Sequence, residues 1–387
     1  MNRKQRRAQG PEQHKARRGA PPDPVALHEA GIEAYRAGRL ATAADLIGRA
    51  IKASGPVPEF HYNLGIVLKA MGQLEDAAAS YERAVALKPD HVNAHNNLGN
   101  VWKALGQPDK ARASFAQALA LNPANADTHY NLGILACEQG ACGDAEQHFS
   151  RCLECDPDDQ RGARILLAHL GAGAAPERTP EAHLLSLYET RSRFWDQEGG
   201  YFGARLVAGA YRQHAASADR HILDIGCGTG LVGAAVRDLA ARLEGADISP
   251  AMLEKAGAKN LYDTLFEADL APFMAEHAGS YDAVLGAAAL IHFGDLRPLF
   301  QAASRCLRGR GLFVFTVFPH DDADGADYAV AASTGLAQSG CFRHSIPYLE
   351  RLAAETGFAV LELEKTIHEH DQAANPVAGL LVVLQKN

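Results

Sequence analysis

Four copies of one pattern, spaced 34 residues apart, constrain the fold of this chain more than any other feature of its sequence. The pattern is visible at three separate positions of each copy. Glycine recurs at the first, alanine at the second, and alanine or cysteine at the third: Gly31, Gly65, Gly99, Gly133; Ala43, Ala77, Ala111, Ala145; Ala50, Ala84, Ala118, Cys152. A fixed period of this length indicates small structural units that stack and bury a shared core.

Glycine and proline mark helix ends within each copy. One glycine per copy stands where a left-handed residue would end the first helix, a conformation that costs glycine least: Gly38, Gly72, Gly106 and Gly140. Pro89, Pro123 and Pro157 follow the second helix, because proline cannot continue it. Residues 160–171 predict a helix that caps the last copy, whose outer face has no further repeat to cover it.

This pattern resembles the tetratricopeptide (TPR) family, whose unit is a helix-turn-helix of this length, over about residues 24–158. The resemblance implies a concave groove that binds a protein or peptide. Asn63, Asn97 and Asn131 recur at the same interval, and a carboxamide offers the donor and acceptor that hold a peptide backbone. In some TPR proteins an Asn ladder at this place does so. Local hydrogen bonding within the repeats is the alternative.

Histidines and cysteines in the repeats raise the question of a metal site. His61, His95 and His129 recur with the same period, and Cys152 and Cys155 have the C-x-x-C spacing that can hold zinc. Cys152, however, takes the place of a small core alanine, and repeat packing accounts for the histidines. We therefore expect no metal.

The character of the sequence changes after residues 171–181, which read GAGAAPERTPE and predict a linker. Beyond the linker, short apolar runs alternate with helix-forming stretches, which is typical of a parallel sheet with helices on both faces. Two adjacent apolar runs near the C-terminus predict an antiparallel addition to the sheet edge. The predicted organisation is a basic, disordered tail (1–23), repeats with a capping helix (24–170), the linker (171–181) and an α/β domain (182–387).

A glycine-rich turn, LDIGCGTG, follows the first predicted strand of this domain. Asp224 ends the strand, and Gly226, Gly228 and Gly230 lead into a helix, so that backbone N–H groups can approach a ligand closely. The third glycine comes one position too early for a nicotinamide-binding turn. The turn therefore predicts a different ligand from a dinucleotide.

Acidic residues also end the next two predicted strands, Asp247 in GADISPAML and Asp269 in FEADL. Together with the glycine turn they resemble the cofactor site of class I S-adenosylmethionine-dependent methyltransferases, which have a Rossmann-like, mostly parallel, seven-stranded sheet. The resemblance implies that Asp247 accepts both ribose hydroxyls and that Asp269 reads the adenine amine. The cofactor-binding residues that it implies are Asp224, Gly226, Cys227, Gly228, Gly230, Asp247, Ile248, Met252, Asp269 and Leu270. Another nucleotide on a Rossmann-like fold is the alternative.

The fusion of TPR repeats to this domain, with the stretch FRHS at residues 342–345, resembles the bacterial TPR-containing methyltransferases. The sequence departs from them at Arg191 and His292, where relatives often have tyrosine. His292 follows the fourth predicted strand and is the candidate general base, with a packing role as the alternative. His344 is a candidate for lining the acceptor pocket. Cys227 fits a space-filling role better than that of a nucleophile.

Composition narrows the set of partners. The net charge is −8, although residues 1–20 hold seven basic residues and one acidic residue. An acidic body argues against nucleic acid as the main partner, and contact with an anionic surface or a matrix-targeting role are alternatives for the tail. No apolar run is long enough to span a bilayer, and the N-terminus lacks a secretory apolar core. Seven cysteines in a chain of this length fit a reducing compartment, so we expect a cytoplasmic protein.

The sequence as a whole predicts an S-adenosylmethionine-dependent methyltransferase that acts on a protein or a small molecule, with the repeats recruiting a substrate or partner. The stretch after the fourth predicted strand lacks the Asn/Asp-Pro-Pro-aromatic motif of adenine or glutamine N-methylases. No Pro-Cys pair marks a cytosine C5 nucleophile. The alternative is an interaction scaffold whose second domain binds S-adenosylmethionine without turnover.

Overall fold

A computed structural model of the chain describes residues 23–192, 195–197, 201–215, 220–321, 325–330, 341–370 and 374–387. The tail predicted for residues 1–23 lies outside this part of the chain except for Asp23. The chain divides into two compact units, one that ends at Leu105 and one that begins at Gly106. The domain boundaries inferred from the sequence stay predictions.

The described part of the first unit contains five helices: α1 (Pro24–Arg36), α2 (Leu40–Ser54), α3 (Pro58–Ala70), α4 (Leu74–Leu87) and α5 (Val92–Ala104). Asp23 caps helix α1, because its carboxylate accepts a hydrogen bond from the N–H of Val25. Pro24 occupies the first turn, where its missing N–H leaves no bond unmade. Helix α1 packs on α2, and α3 packs on α4. The sequence period therefore corresponds to one helical pair.

The glycine ladder has a steric cause in this unit. A Cβ atom on Gly65 would lie 2.7 Å from the ring of Tyr81, and one on Gly31 would lie 2.6 Å from Cγ1 of Ile47. Only glycine lets the two helices of a pair approach this closely. Gly38 and Gly72 end the first helix of a pair with φ values of +73° and +75°, the left-handed conformation that the sequence predicts.

The second unit begins with four helices: α6 (Pro108–Leu121), α7 (Ala126–Glu138), α8 (Cys142–Cys155) and α9 (Ala163–His169). Gly133 repeats the close approach, because a Cβ atom there would lie 2.5 Å from the ring of Phe149. Cys152 is buried in the core of α8 and α9, in the place of the small residue that the period predicts. Helix α9 lies within the segment predicted to cap the repeats.

Helices and strands alternate in the rest of the second unit. The helices are α10 (Glu181–Arg191), α11 (Gly203–His214), α12 (Leu231–Val236), α13 (Pro250–Ala258), α14 (Leu270–Glu276), α15 (Arg297–Cys306) and α16 (Ile346–Glu355). The strands are β1 (Arg220–Ile225), β2 (Ala240–Asp247), β3 (Thr264–Glu267), β4 (Tyr281–Gly286), β5 (Leu307–His320), β6 (Tyr328–Val330), β7 (Phe342–Ser345), β8 (Phe358–His370) and β9 (Pro376–Lys386).

Seven of these strands form one sheet in the order β3-β2-β1-β4-β5-β9-β8. Strands β1 to β5 are parallel, and β9 pairs antiparallel with both β5 and β8. The predicted fold class and the antiparallel addition at the C-terminus are therefore confirmed. One feature is not predicted from the sequence: β7 extends the sheet beside the last residues of β5, and β6 pairs with β7.

Alternate residues of the central strands enter two separate cores, one on each face of the sheet. Leu223 of β1 packs with residues of α14, α15 and α16, whereas its neighbour Ile222 packs with residues of α11 and α12. The carboxyl ends of β1, β2, β3 and β4 meet at one edge of the sheet, and the loops that follow them form the candidate site. No described helix is long and apolar enough to cross a membrane.

Candidate functional site

A cavity lies at the carboxyl ends of the parallel strands. Eight of the residues that line it were predicted to bind the cofactor or to act in catalysis: Gly226, Gly228, Asp247, Ile248, Met252, Asp269, Leu270 and His292. The other residues that line it are Arg178, Leu184, Tyr188, Trp195, Ala268, Ala287, Ala288, Ala289 and Phe293. The structure thus brings together residues from four strand ends and from the segment before β1.

The turn between β1 and α12 needs its three glycines. Gly226, Gly228 and Gly230 have φ values of +61°, +54° and +88°, a region that favours glycine. A Cβ atom on Gly226 would also lie 2.5 Å from Cβ of Ala289 across the cavity wall. The N–H of Gly226 donates to the carbonyl of Ala246 in β2, 2.7 Å away, which fixes the turn against the neighbouring strand.

Asp247 ends β2 and is the best-placed polar group of the cavity. Its Oδ2 accepts a hydrogen bond from the N–H of Gly228, and its Oδ1 accepts one from the N–H of Ser249, each at 2.8 Å. Burial raises the pKa of this carboxyl, against the effect of the backbone donors. Each oxygen keeps a second lone pair for a ligand hydroxyl, so the geometry is compatible with the predicted bidentate contact.

Asp224, Cys227 and Gly230, also predicted to contact the cofactor, do not line this cavity. Oδ2 of Asp224 accepts a hydrogen bond from Tyr262, 2.6 Å away, and burial raises the pKa of the carboxyl to about 7. A Cβ atom on Gly230 would lie 3.0 Å from the Tyr262 ring, which shows that the ring packs against the turn. Cys227 is buried, and burial raises the pKa of its thiol, which fits the space-filling role. Asp224 and Tyr262 therefore contact the glycine turn outside the cavity.

The segments that follow β2 and β3 supply the apolar side of the cavity through Ile248, Met252 and Leu270. Asp269 precedes α14 at the same edge. Its Oδ2 accepts a hydrogen bond from Nη1 of Arg178, 2.5 Å away. This partner is not predictable from the sequence, because Arg178 falls in the segment predicted to be a linker.

His292 closes a short 3₁₀ turn after β4 and is buried. Its Nε2 lies 2.6 Å from the hydroxyl of Tyr188, and its Nδ1 lies 3.5 Å from Oγ1 of Thr179. Burial lowers the pKa of His292 to about 3, with a smaller effect from His183 and then Arg191, so the ring is neutral near pH 7. Burial raises the pKa of the Tyr188 phenol, which therefore stays protonated and donates to Nε2.

His344, predicted to line the acceptor pocket, does not line this cavity. It is fully buried in β7, and its Nε2 donates to the carbonyls of Phe293 and Gly294 at 2.9 and 3.0 Å. Burial lowers its pKa to about 4, although these two carbonyls favour the charged form. The side chain thus holds the loop that carries His292.

Two asparagines of the predicted ladder bond within the first unit. Nδ2 of Asn63 lies 2.9 Å from Nε2 of His28, and Nδ2 of Asn97 donates to the hydroxyl of Tyr62 at 3.3 Å. In each case the partner lies 35 residues earlier, in the preceding helical pair. Asn131 is half-buried in α7 of the second unit. The contacts of Asn63 and Asn97 agree with local hydrogen bonding within the repeats.

Two of the repeat histidines make hydrogen bonds to proline carbonyls within the repeats. Nε2 of His95 lies 2.9 Å from the carbonyl oxygen of Pro89, and Nε2 of His129 lies 3.0 Å from that of Pro123. Among the described residues no group of three or more His, Cys, Asp or Glu side chains is arranged to hold a metal ion.

Three family models match the chain. The model described as a methyltransferase domain matches residues 189–363. A TPR repeat model matches residues 67–106, and a tetratricopeptide repeat model matches residues 103–170. None of the curated proteins compared with the chain matches it.

Solved structures resemble separate parts of the chain. A Burkholderia thailandensis 1,6-didemethyltoxoflavin-N1-methyltransferase, with bound 1,6-didemethyltoxoflavin and S-adenosylhomocysteine, is 17% identical over 54% of this chain and 87% of its own, with a TM-score of 0.43. An S-adenosylmethionine-dependent methyltransferase from Mesorhizobium loti is 21% identical over 48% of this chain and 100% of its own, with a TM-score of 0.36. A TPR protein from Thermus thermophilus is 22% identical over 43% of this chain and 89% of its own, with a TM-score of 0.35.

The family models match the two parts that the sequence period and the strand-end motifs had separated. The chain therefore carries tetratricopeptide repeats together with a class I methyltransferase domain.

Proposed function

We propose that the protein is an S-adenosylmethionine-dependent methyltransferase whose repeats recruit a protein substrate, or a partner that presents a small-molecule acceptor. The observation that carries this proposal is the position of Asp247. Its buried carboxylate is held by two backbone N–H groups and lines a cavity that it shares with the glycine turn. An acidic group at the end of the second strand suits the two ribose hydroxyls of such a cofactor.

The other residues of the cavity fit the same ligand. Ile248, Met252 and Leu270 offer an apolar surface for the adenine ring. Gly226 carries no side chain at the cavity, so its backbone can approach the ligand closely. When bound, S-adenosylmethionine supplies a methyl group that its sulfonium already activates. The protein has to exclude water, align the acceptor and remove the acceptor's proton.

Tyr188 and His292 are the groups that can remove that proton. Both ring nitrogens of His292 have neighbours in the protein, Tyr188 at Nε2 and Thr179 at Nδ1, so the acceptor meets the phenol oxygen first. With donor and acceptor bound, the oxygen of Tyr188 would take the proton that the acceptor's oxygen or nitrogen loses, and the phenol proton would move at the same time to Nε2 of His292. General-base assistance of this kind is worth about 10²- to 10⁴-fold in rate.

One observation favours a second function, that of a scaffold whose domain binds S-adenosylmethionine without turnover. The low pKa of His292, about 3 because of burial, makes the imidazole a weak base. An enzyme would convert S-adenosylmethionine to S-adenosylhomocysteine in the presence of an acceptor, whereas a scaffold would bind it unchanged. Product formation therefore separates the two functions.

The first experiment is calorimetric titration of S-adenosylmethionine into the full-length protein and into the Asp247→Ala variant. We expect micromolar binding by the wild type and a loss of at least tenfold in the variant. Asp238→Ala is the matched control, because Asp238 pairs with Arg212 on the surface, away from the cavity. Folded wild-type protein that does not bind would refute the proposal. A protein that binds the cofactor but yields no S-adenosylhomocysteine with any protein or small-molecule acceptor would favour the scaffold.

A further inference from the structure

The segment predicted to be a linker is hydrogen-bonded into the cavity wall. Three of its residues, Glu177–Thr179, which we call the strap, run antiparallel to the loop after β4. The N–H of Thr179 donates to the carbonyl of His292, and the N–H of Gly294 donates to the carbonyl of Glu177, each at 2.8 Å. Thr179 is fully buried. The strap is therefore a fixed part of the site.

Arg178, at the centre of the strap, points its guanidinium into the cavity wall. Nη1 donates to Oδ2 of Asp269 at 2.5 Å, and Nη2 donates to Oε2 of Glu181 at 3.0 Å. One of these carboxylates precedes α14, and the other begins α10. Two groups on different elements therefore restrict the position of the guanidinium.

The pairing has a consequence for Asp269. About a third of this side chain is exposed (32%), so without a partner its carboxylate would rotate freely. The contact with Arg178 engages Oδ2 and restricts rotation of the carboxylate, so Oδ1 is the oxygen that this contact leaves for a ligand. A rigid acceptor of this kind recognises an amino group and disfavours a carbonyl oxygen at the same position.

We propose that Arg178 is a positioning residue for the adenine of the methyl donor, because it orients Asp269 so that Oδ1 accepts a hydrogen bond from the 6-amino group. This inference rests on the proposed function, since it takes S-adenosylmethionine as the ligand. The strap lies before residue 189, where the match to the methyltransferase model begins. The adenine-reading element of this chain thus extends into the segment that follows the repeats.

The test compares two ligands that differ in one group. S-adenosylhomocysteine carries the 6-amino group, and S-inosylhomocysteine carries a carbonyl oxygen there. Each is titrated calorimetrically into the full-length wild type and into Arg178→Ala. We expect the wild type to prefer the adenine ligand by at least about 50-fold, because the inosine oxygen would face a carboxylate oxygen. In Arg178→Ala we expect this preference to fall below about fivefold and the Kd of S-adenosylhomocysteine to rise about tenfold.

Three further variants make the test specific. Arg178→Lys keeps the positive charge but loses the planar guanidinium group, so it should retain only part of the preference for the adenine ligand. Asp269→Asn should lose the preference as fully as Arg178→Ala does, and the double variant should lose no more than either single variant. Arg212→Ala removes a surface arginine paired with Asp238 outside the cavity, and it should bind as the wild type does.

The outcomes separate the inference from the proposed function. If the folded wild type binds neither ligand, the proposed function fails and the inference fails with it. If the wild type binds but Arg178→Ala keeps the full preference for adenine, the inference alone is overturned. Should Arg178→Ala fail to fold, Arg178→Lys and Asp269→Asn decide the matter, and an undiminished preference in both would overturn the inference.

Discussion

The phenol oxygen of Tyr188 lies 2.6 Å from Nε2 of His292, within hydrogen-bond distance and at the wall of the cavity. Tyr188 belongs to α10, and His292 belongs to the turn after β4, so the contact joins two parts of the second unit that are 104 residues apart in sequence. In the proposed mechanism, this contact lets the buried, neutral His292 act on the cavity through the hydroxyl of Tyr188.

Replacing Tyr188 with phenylalanine tests this relay. The ring keeps its edge contacts with Trp195 and His292, whereas the hydrogen bond to Nε2 is lost. We expect kcat with an identified acceptor to fall by about 10²-fold or more, because general-base assistance is lost. The Kd of S-adenosylmethionine from calorimetry should stay within twofold of the wild-type value. An unchanged kcat would leave His292 with a packing role only.

Stability should depend on pH through two buried histidines. Burial lowers the pKa of His292 to about 3 and that of His344 to about 4, below the value of about 6.5 that histidine has in an unfolded chain. Between about pH 4 and pH 6 the unfolded chain therefore binds more protons than the folded chain does. The free energy of unfolding should fall as the pH falls through this window, by up to about 1.4 kcal/mol per unit for each histidine.

Scanning calorimetry from pH 7 to pH 5 measures this slope in the second unit. The His344→Gln variant should show a smaller fall in melting temperature across the window than the wild type, because one of the two contributions is gone. His169→Gln is the control, since His169 is exposed on α9. A fall in melting temperature that His344→Gln leaves unchanged would show that this histidine already carries its charge in the folded protein.

The sequence predicted those parts of the molecule that depend on local spacing. The 34-residue period identified the helical pairs, because each glycine and alanine position is set by contacts within one pair, as between Gly65 and Tyr81. The strand-end positions of Asp247 and Asp269 followed from alternation and from the glycine turn. Such features recur in sequence at fixed distances, so a single chain is enough to recognise them.

The contacts that complete the site join residues far apart in sequence. Arg178 meets Asp269 across 91 positions, and Thr179 meets His292 across 113. The segment GAGAAPERTPE has the composition of a linker, and composition does not show that its backbone pairs with another loop. His344 was placed near an acceptor because of its motif, but whether a strand residue faces a cavity or a neighbouring loop depends on register. One sequence holds no sign of either relationship.

Gly226 and Gly228 of the glycine turn provide a matched pair of variants. Both have positive φ, so alanine is strained at each, by about 1 kcal/mol. A Cβ atom on Gly226 would in addition lie 2.5 Å from Cβ of Ala289, whereas the nearest atom to one on Gly228 is 4.0 Å away. We expect Gly226→Ala to lower the melting temperature more than Gly228→Ala does. Equal decreases in the melting temperatures of the two variants, measured by calorimetry, would mean that Ala289 can move away from the added Cβ atom at little cost in stability.

In the repeats of the first unit, two Gly→Ala substitutions should change the stability in opposite directions. Gly48 lies inside α2 with no atom within 4 Å of an added Cβ, so Gly48→Ala should raise the stability by about 0.5–1 kcal/mol through helix propensity. Gly65→Ala should lower it, because its Cβ would lie 2.7 Å from the buried ring of Tyr81. Thermal unfolding followed by circular dichroism measures both changes. A stabilising Gly65→Ala would show that the two helices can separate without cost.

Asp224 gives the last prediction, in which removing a charge stabilises the protein. Its Oδ1 is buried with no hydrogen-bond partner among the described residues, and burial raises the pKa to about 7, whereas an unfolded aspartate titrates near 3.9. Between about pH 4 and pH 7 the folded chain therefore holds a proton that the unfolded chain has lost, so this group makes stability fall as the pH rises. In Asp224→Asn the carboxamide oxygen still accepts from Tyr262, and no charge is buried. We expect a melting temperature above that of the wild type at pH 8 and a smaller difference at pH 5, with the exposed Asp238→Asn as control. A rise in melting temperature that does not depend on pH would mean that packing causes it. The buried carboxylate would then carry no cost for its charge.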